Sequence, residues 1–153
     1  LIKGKNEVDV MKITQISVFI ENESGRLHEV TGLLGKNNIN IRALSLADTS
    51  DFGILRLIVN EPDKAYRLLK DNEFTVGRTE VLAVMVPDEP SGLAGVLEAL
   101  SLANINVEYM YALVERSTDS AVMIFRFDDK EGAIETLVKK GYKLMEGKQI
   151  YEI

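Results

Sequence analysis

Asn37-Asn38-Ile39-Asn40-Ile41 returns 66 residues later as Ala103-Asn104-Ile105-Asn106-Val107. Upstream of each copy lies a short polar turn, Glu23-Ser24-Gly25 and then Glu89-Pro90-Ser91-Gly92, followed by an apolar run at helical spacing. A fixed offset over turn, helix and strand start marks an internal repeat. Two copies of one unit fill nearly all of the chain, so any site is expected twice or where units meet.

Working outward from the first copy, Ile13 to Ile20 is β-branched and reads as a strand. Leu27, Val30, Leu33 and Leu34 recur at helical spacing after the turn. Ile39 to Ala47 and Gly53 to Val59 read as a hairpin across Asp48-Thr49-Ser50-Asp51. Pro62 suits the first turn of a second helix, striped by Ala65, Leu68 and Leu69, and Phe74 to Thr79 is a fourth strand. The second copy repeats this order with strands at Val81–Val86, Asn106–Val114 and Ala121–Phe127. Its helices carry Leu93, Val96, Leu97, Leu100 and then Ala133, Ile134, Leu137, Val138, and Tyr142–Ile153 is expected as its closing strand. After the hairpin the offset becomes 68, which places extra residues near Ser117-Thr118-Asp119. The expected class is α+β: two ferredoxin-like β-α-β-β-α-β domains in tandem, their sheets packed or extended side by side. The expected domains are residues 11–80 and 81–153, with 1–10 as a leader or added residues. At offset 68, Val81–Met85 also corresponds to Gln149–Ile153, which raises the option of a closing strand shared between the sheets.

The 153 residues are 46% hydrophobic and 27% charged, a globular composition, with a net charge of −6. An acidic chain is a poor ligand for nucleic acid phosphates and for anionic membranes. No apolar run approaches the roughly 18 residues of a spanning helix. Cysteine is absent, which removes disulfides, thiolate metal sites and cysteine nucleophiles. One histidine, His28, cannot supply a metal site alone, and no metal or cofactor is expected. A cytoplasmic location fits this usage.

The strand-to-helix turn is the first candidate for chemistry. N–H groups at a helix start lack intrahelical partners and carry the positive end of the dipole. Glycine at Gly25 or Gly92 would let a carboxylate or phosphate approach the backbone. The competing reading is capping by Ser24 or Ser91. Asn40 and Asn106 each begin a strand between aliphatic residues, where a side-chain amide serves a ligand or completes a turn. His28 reads as a solvated helix position or a ligand contact. Tyr109 and Tyr111 share a strand face and would wall a pocket or pack against a neighbouring element.

Asn22-Glu23-Ser24-Gly25-Arg26-Leu27 through Asn38-Ile39-Asn40-Ile41 resembles the pattern of ACT domains. There an acidic or Asn residue leads into Pro-Gly-x-Leu, a helix, and Gly-Ile-Asn-Ile. Asp88-Glu89-Pro90-Ser91-Gly92-Leu93 through Asn104-Ile105-Asn106-Val107 resembles it equally. Two departures stand out: Ser24 replaces the usual Pro, and Ser91 replaces the usual Gly, with Gly92 one step later. The resemblance implies a regulatory module that binds an amino acid, with paired domains clasping it between the turn of one and the strand-two start of another. It implies as ligand-binding residues Asn22, Glu23, Ser24, Gly25, Arg26, Leu27, Asn40 and Ile41, and Asp88, Glu89, Pro90, Ser91, Gly92, Leu93, Asn106 and Val107. Helix-start amides would take the ligand carboxylate, and Asp88 or Glu89 with backbone carbonyls its ammonium.

The resulting expectation is a sensor without a catalytic domain, a homo-oligomer (a dimer) whose output is a partner, such as a biosynthetic enzyme, or a change of oligomeric state. The alternatives are a pairing scaffold that binds no ligand and an acylphosphatase-like enzyme using Arg26 and Asn40. RNA binding on the same strand order requires sheet-face aromatics, and Ile54-Leu55-Arg56-Leu57 and Met123-Ile124-Phe125-Arg126 lack that pattern.

Overall fold

Beyond the duplicated turn the chain lays down the same four strands twice. The structure, a computed structural model, describes residues 8–48, 51–113 and 120–153. In the first copy these are β1 (Ile13–Glu21), α1 (Arg26–Lys36), β2 (Ile41–Asp48), β3 (Phe52–Val59) and α2 (Pro62–Asp71). A single long strand, β4 (Thr75–Pro87), follows; it joins what the sequence reads as two strands. The second copy continues with α3 (Gly92–Leu102), β5 (Val107–Ala112), β6 (Ser120–Phe127), α4 (Lys130–Lys139), β7 (Lys143–Met145) and α5 (Gly147–Tyr151). The second hairpin loop, Ser117-Thr118-Asp119, lies outside the described residues, as do Thr49 and Ser50 of the first.

Two compact units result: residues 14–79 with 151–153, and residues 8–13 with 80–150. In the earlier unit the strands run β2-β3-β1-β4, and in the later unit β5-β6-β4-β7. Both are the strand order of the ferredoxin-like arrangement. The class is α+β with antiparallel pairing in both hairpins.

Strand alternation explains each core. Ile16, Val18 and Ile20 of β1 and Leu55 and Leu57 of β3 meet Val30 and Leu34 of α1 and Ala65 and Leu69 of α2. In the later unit Leu82, Val84 and Val86 meet Val96, Leu100, Phe125, Phe127, Ala133, Ile134 and Leu137. Phe125 and Phe127 stack with ring centroids 5.3 Å apart. Val8 and Met11, ahead of β1, pack against this second core. Lys12 holds that segment by ion pairs to Glu131 at 2.9 Å, Glu80 at 3.7 Å and Asp9 at 3.8 Å.

The repeated Asn-Ile-Asn motif has two separate causes. Asn38 and Asn104 adopt left-handed φ values of 58° and 57° as their helices end. Ile39 then donates to the Leu34 carbonyl, and Ile105 to that of Leu100, which satisfies the last carbonyls of α1 and α3. Asparagine tolerates this conformation better than most residues. The second Asn of each motif has no such duty.

The closing strand of the second copy is shorter than the sequence suggests. Tyr142–Ile153 gives only three paired residues, Met145 opposite Ala83 and Lys143 opposite Met85, before α5 begins. The Gln149 side chain accepts the Glu146 N–H at 2.8 Å, one half of a capping box, and Ile150 is fully buried. Glu146-Gly147-Lys148-Gln149 is therefore a helix start. The correspondence of Gln149–Ile153 with the Val81–Met85 strand fails, because the later segment is helical. Within the earlier unit Tyr151 accepts the Thr14 N–H on its hydroxyl at 2.9 Å and the Arg42 guanidinium on its carbonyl at 3.2 Å.

Candidate functional site

The two helix-start turns share one backbone path built from different residues. Glu23 donates to the Glu21 carbonyl and Arg26 to that of Glu23; Glu89 donates to the Pro87 carbonyl and Gly92 to that of Glu89. Gly25 has φ 90° and Ser91 has φ 68°, so both helices begin from a left-handed residue. No side chain caps either helix, which overturns the expectation of capping by Ser24 or Ser91. A serine carries the conformation that glycine adopts at no steric cost, and it is strained there. Gly92 is needed for a different reason: a Cβ on it would run into the Pro87 carbonyl oxygen.

The uncapped starts leave donors free. Among the described residues the N–H groups of Leu27 and His28, and of Leu93 and Ala94, make no hydrogen bond. These are the amides a carboxylate would meet. Asn22, by contrast, is used structurally, its N–H donating to the Asp51 carbonyl at 3.1 Å. Glu23, Ser24, Gly25 and Leu27 are exposed, as are Asp88, Glu89, Pro90 and Ser91. Leu93 is half-buried against the second core, and Gly92 is buried. His28 is exposed beside the free amides.

Charge separates the turns. Arg26 pairs with Glu29 at 3.0 Å and with Glu21 at 3.4 Å. The hydrogen bond to Glu29 first, then that to Glu21, pushes the guanidinium further up from its already high range. An open cavity of about 360 Å³ holds this trio together with Glu73, Phe19 and Phe74. The second turn has Gly92 in place of Arg26, and its charges are the carboxylates of Asp88 and Glu89.

Asn40 and Asn106 stand immediately ahead of β2 and β5, and both are exposed. Neither side-chain amide finds a hydrogen-bond partner among the described residues. Their backbones are held instead. The Asn60 side-chain oxygen accepts the Asn40 N–H at 2.9 Å, and an Asp128 carboxylate oxygen accepts the Asn106 N–H at 3.0 Å. Asn60 and Asp128 are the site residues that sequence reasoning missed. The signal was present: both stand two residues ahead of a helix, at the same 68-residue offset as the helices themselves. Ile41 and Val107 follow, each half-buried and packed against its core. Each strand then has a bulge, at Arg42 and at Glu108. Asn106, Val107 and Asp128 line an open cavity of about 430 Å³ with Leu97, Leu100 and Ile105.

Within one unit the turn and its own asparagine stand apart. Glu21 lies opposite Phe52 at the start of β3, while Ile41 lies opposite Val59 at its end. In the later unit Pro87 lies opposite Ser120 and Val107 opposite Phe127. Strand rise puts about 23 Å between those ends. Arg26 and Asn40 therefore cannot act on one phosphoryl group within a unit, which removes the geometric basis of the acylphosphatase-like alternative. Tyr111 is buried on its strand, and Met110 faces the second core.

A family model described as an ACT domain pair matches residues 11–153. The chain belongs to the ACT domain pair family. It is 43% identical to a Bacteroides thetaiotaomicron protein of known crystal structure, over 94% of this chain and 98% of that one, with a TM-score of 0.88. The ligand-free regulatory subunit of aspartate kinase from Thermus thermophilus has the same ACT fold: TM-score 0.61, 15% identity, 84% of this chain and 92% of that one. The corresponding subunit from Thermus flavus aligns with a TM-score of 0.60 at 13% identity, over the same shares of the two chains. No relative is found among curated proteins.

Proposed function

We propose that this protein is a regulatory ACT pair without catalytic chemistry of its own, and that it binds a free amino acid. The ligand sits where the helix-start turn of one ACT domain faces the asparagine-bearing strand start of another. One observation carries the reading: each unit presents free amides at one end of its sheet and an unengaged asparagine amide at the other. Each end is half of a zwitterion site, and about 23 Å of strand keeps the two halves of one unit from closing on a single small molecule. Juxtaposed domains supply the missing half, so binding and assembly are coupled.

The residues that hold the ligand are those of the two turns, Asn22 to Leu27 and Asp88 to Leu93, with Asn40, Ile41, Asn106 and Val107. The amides of Leu27, His28, Leu93 and Ala94 take its carboxylate. The protein works as a homo-oligomer in the cytoplasm and passes its state to an enzyme of amino acid metabolism. Likeness in fold to aspartate kinase regulatory subunits supports the architecture of this reading, not the identity of the ligand. Thermal-shift screening against the twenty amino acids tests it. A ligand raises the melting temperature with concentration, whereas a scaffold gives no shift with any of them.

A further inference from the structure

Between two opposite charges the sequence of β2 reads the same in both directions: Arg42, then Ala43-Leu44-Ser45-Leu46-Ala47, then Asp48. β2 is also an outer strand, pairing only with β3 among the described residues. Its free edge carries no charge between those two ends. Leu44 and Leu46 share a face with Leu57 and Leu55 of β3, yet stay 44% and 50% exposed. An uncharged outer strand with bare leucines is a template for another strand. The other outer strand, β5, is guarded: Glu108 lies in its bulge, paired to Arg126 at 3.3 Å, and Tyr111 is buried.

We propose that β2 is a homodimer edge, pairing antiparallel with β2 of a second copy about a two-fold axis at Ser45. In that register Leu44 lies opposite Leu46, Ala43 opposite Ala47 and Arg42 opposite Asp48, each pair occurring twice. The four leucines cover one another, and opposite charges meet at both ends. A slip of two residues sets Arg42 against Leu46 and Asp48 against Asn40, so the palindrome fixes the register. Asp48 stands level with Gly53 and Ile20, next to the helix-start turn. The pairing therefore carries the turn of one copy to the end of the sheet where Asn40 of the other stands. This deepens the sensor reading and rests on it for the ligand, though not for the pairing itself. The composite sites then belong to the earlier repeats, two per dimer, and the later repeats take no part in them.

The test combines sedimentation velocity of the full chain with oxidative cross-linking of single cysteines, in a sequence that has none of its own. The wild type should sediment as a dimer. Leu46→Lys puts a charge into the shared edge and should sediment as a monomer with an unchanged far-UV circular dichroism spectrum. Ala112→Lys, on β5, should stay dimeric. Ser45→Cys should link to its own equivalent, because directly opposed Cα atoms lie about 4.5–5.5 Å apart, within disulfide reach. Ala47→Cys, about 13 Å from its equivalent in this register, should not. A monomeric wild type, a dimeric Leu46→Lys, or Ala47→Cys linking as readily as Ser45→Cys would overturn the proposal. Should Leu46→Lys misfold, the two cysteine variants decide. If Ser45→Cys links and no amino acid shifts the melting temperature, the dimer edge stands and the sensor reading falls.

Discussion

The Asn60 side chain accepts the Asn40 N–H at 2.9 Å while the Asn60 N–H donates to the Asn40 carbonyl at 3.1 Å. Asp128 and Asn106 repeat both bonds, at 3.0 and 3.2 Å. This double link fixes where β2 and β5 begin, and so where the free asparagine side chains stand. Asn60→Ala removes the side-chain half of the link. The expected cost is about 1 kcal/mol in urea denaturation, with faster hydrogen exchange at the Asn40 amide. Unchanged exchange there would show that the backbone bond alone sets the strand start.

Ser91 and Gly92 should respond in opposite directions to substitution. Ser91→Gly relieves a left-handed serine, a strain of about 1 kcal/mol, part of which is offset by the freer unfolded chain. A small rise in melting temperature is expected. Gly92→Ala drives a methyl group at the Pro87 carbonyl and should cost about 1–3 kcal/mol. If Ser91→Gly destabilises the fold, the serine side chain has a role that its uncapped geometry does not show.

The Lys12 cluster sets a pH dependence. Its hydrogen bond to Glu131 raises the lysine above its ordinary 10.5. The same bond, then a bond to its own backbone, lowers Glu131 below its ordinary 4.5. The lysine's contribution is complete below pH 10.5 and is lost as pH rises through its elevated value. The carboxylate's contribution is complete above pH 4.5 and is lost as pH falls through its depressed value. Urea midpoints of wild type and Lys12→Met should therefore converge in acid and differ at neutral pH, the difference shrinking with added salt. A gap that persists in acid would assign the role of Lys12 to packing of its aliphatic stem.

Asn106→Ala should weaken amino acid binding and leave the melting temperature of the free protein nearly unchanged, because its side chain is exposed and makes no hydrogen bond among the described residues. Paired calorimetry and thermal melts separate the two effects. Equal affinity in the variant would remove that amide from the ligand.

The repeat made the fold readable, since turn, helix stripe and strand recur at one offset and each copy corroborates the other. The Asn-Ile-Asn string was legible as a motif but not as two functions. Only the φ values separate the helix-ending Asn38 from the solvent-facing Asn40. Asn60 and Asp128 escaped because a side chain bonded across twenty or more residues leaves no local pattern. The end of the chain misled for a local reason: Tyr142-Lys143-Leu144-Met145 is strand-like, and the cap at Glu146 and Gln149 outweighs that propensity beyond it. Ser24 and Ser91 looked like caps by composition, yet the N-cap of α1 falls on Gly25, one residue past Ser24, and Ser91 enters α3 in a left-handed conformation rather than the extended one of a bonding N-cap.

The most direct test of the central claim is calorimetric titration of the intact protein with each amino acid, alongside its melting temperature. The sensor account predicts saturable heat with at least one amino acid, a melting temperature that climbs with its concentration, and a weakening of both in Asn106→Ala. No heat and no shift across the whole panel would contradict it.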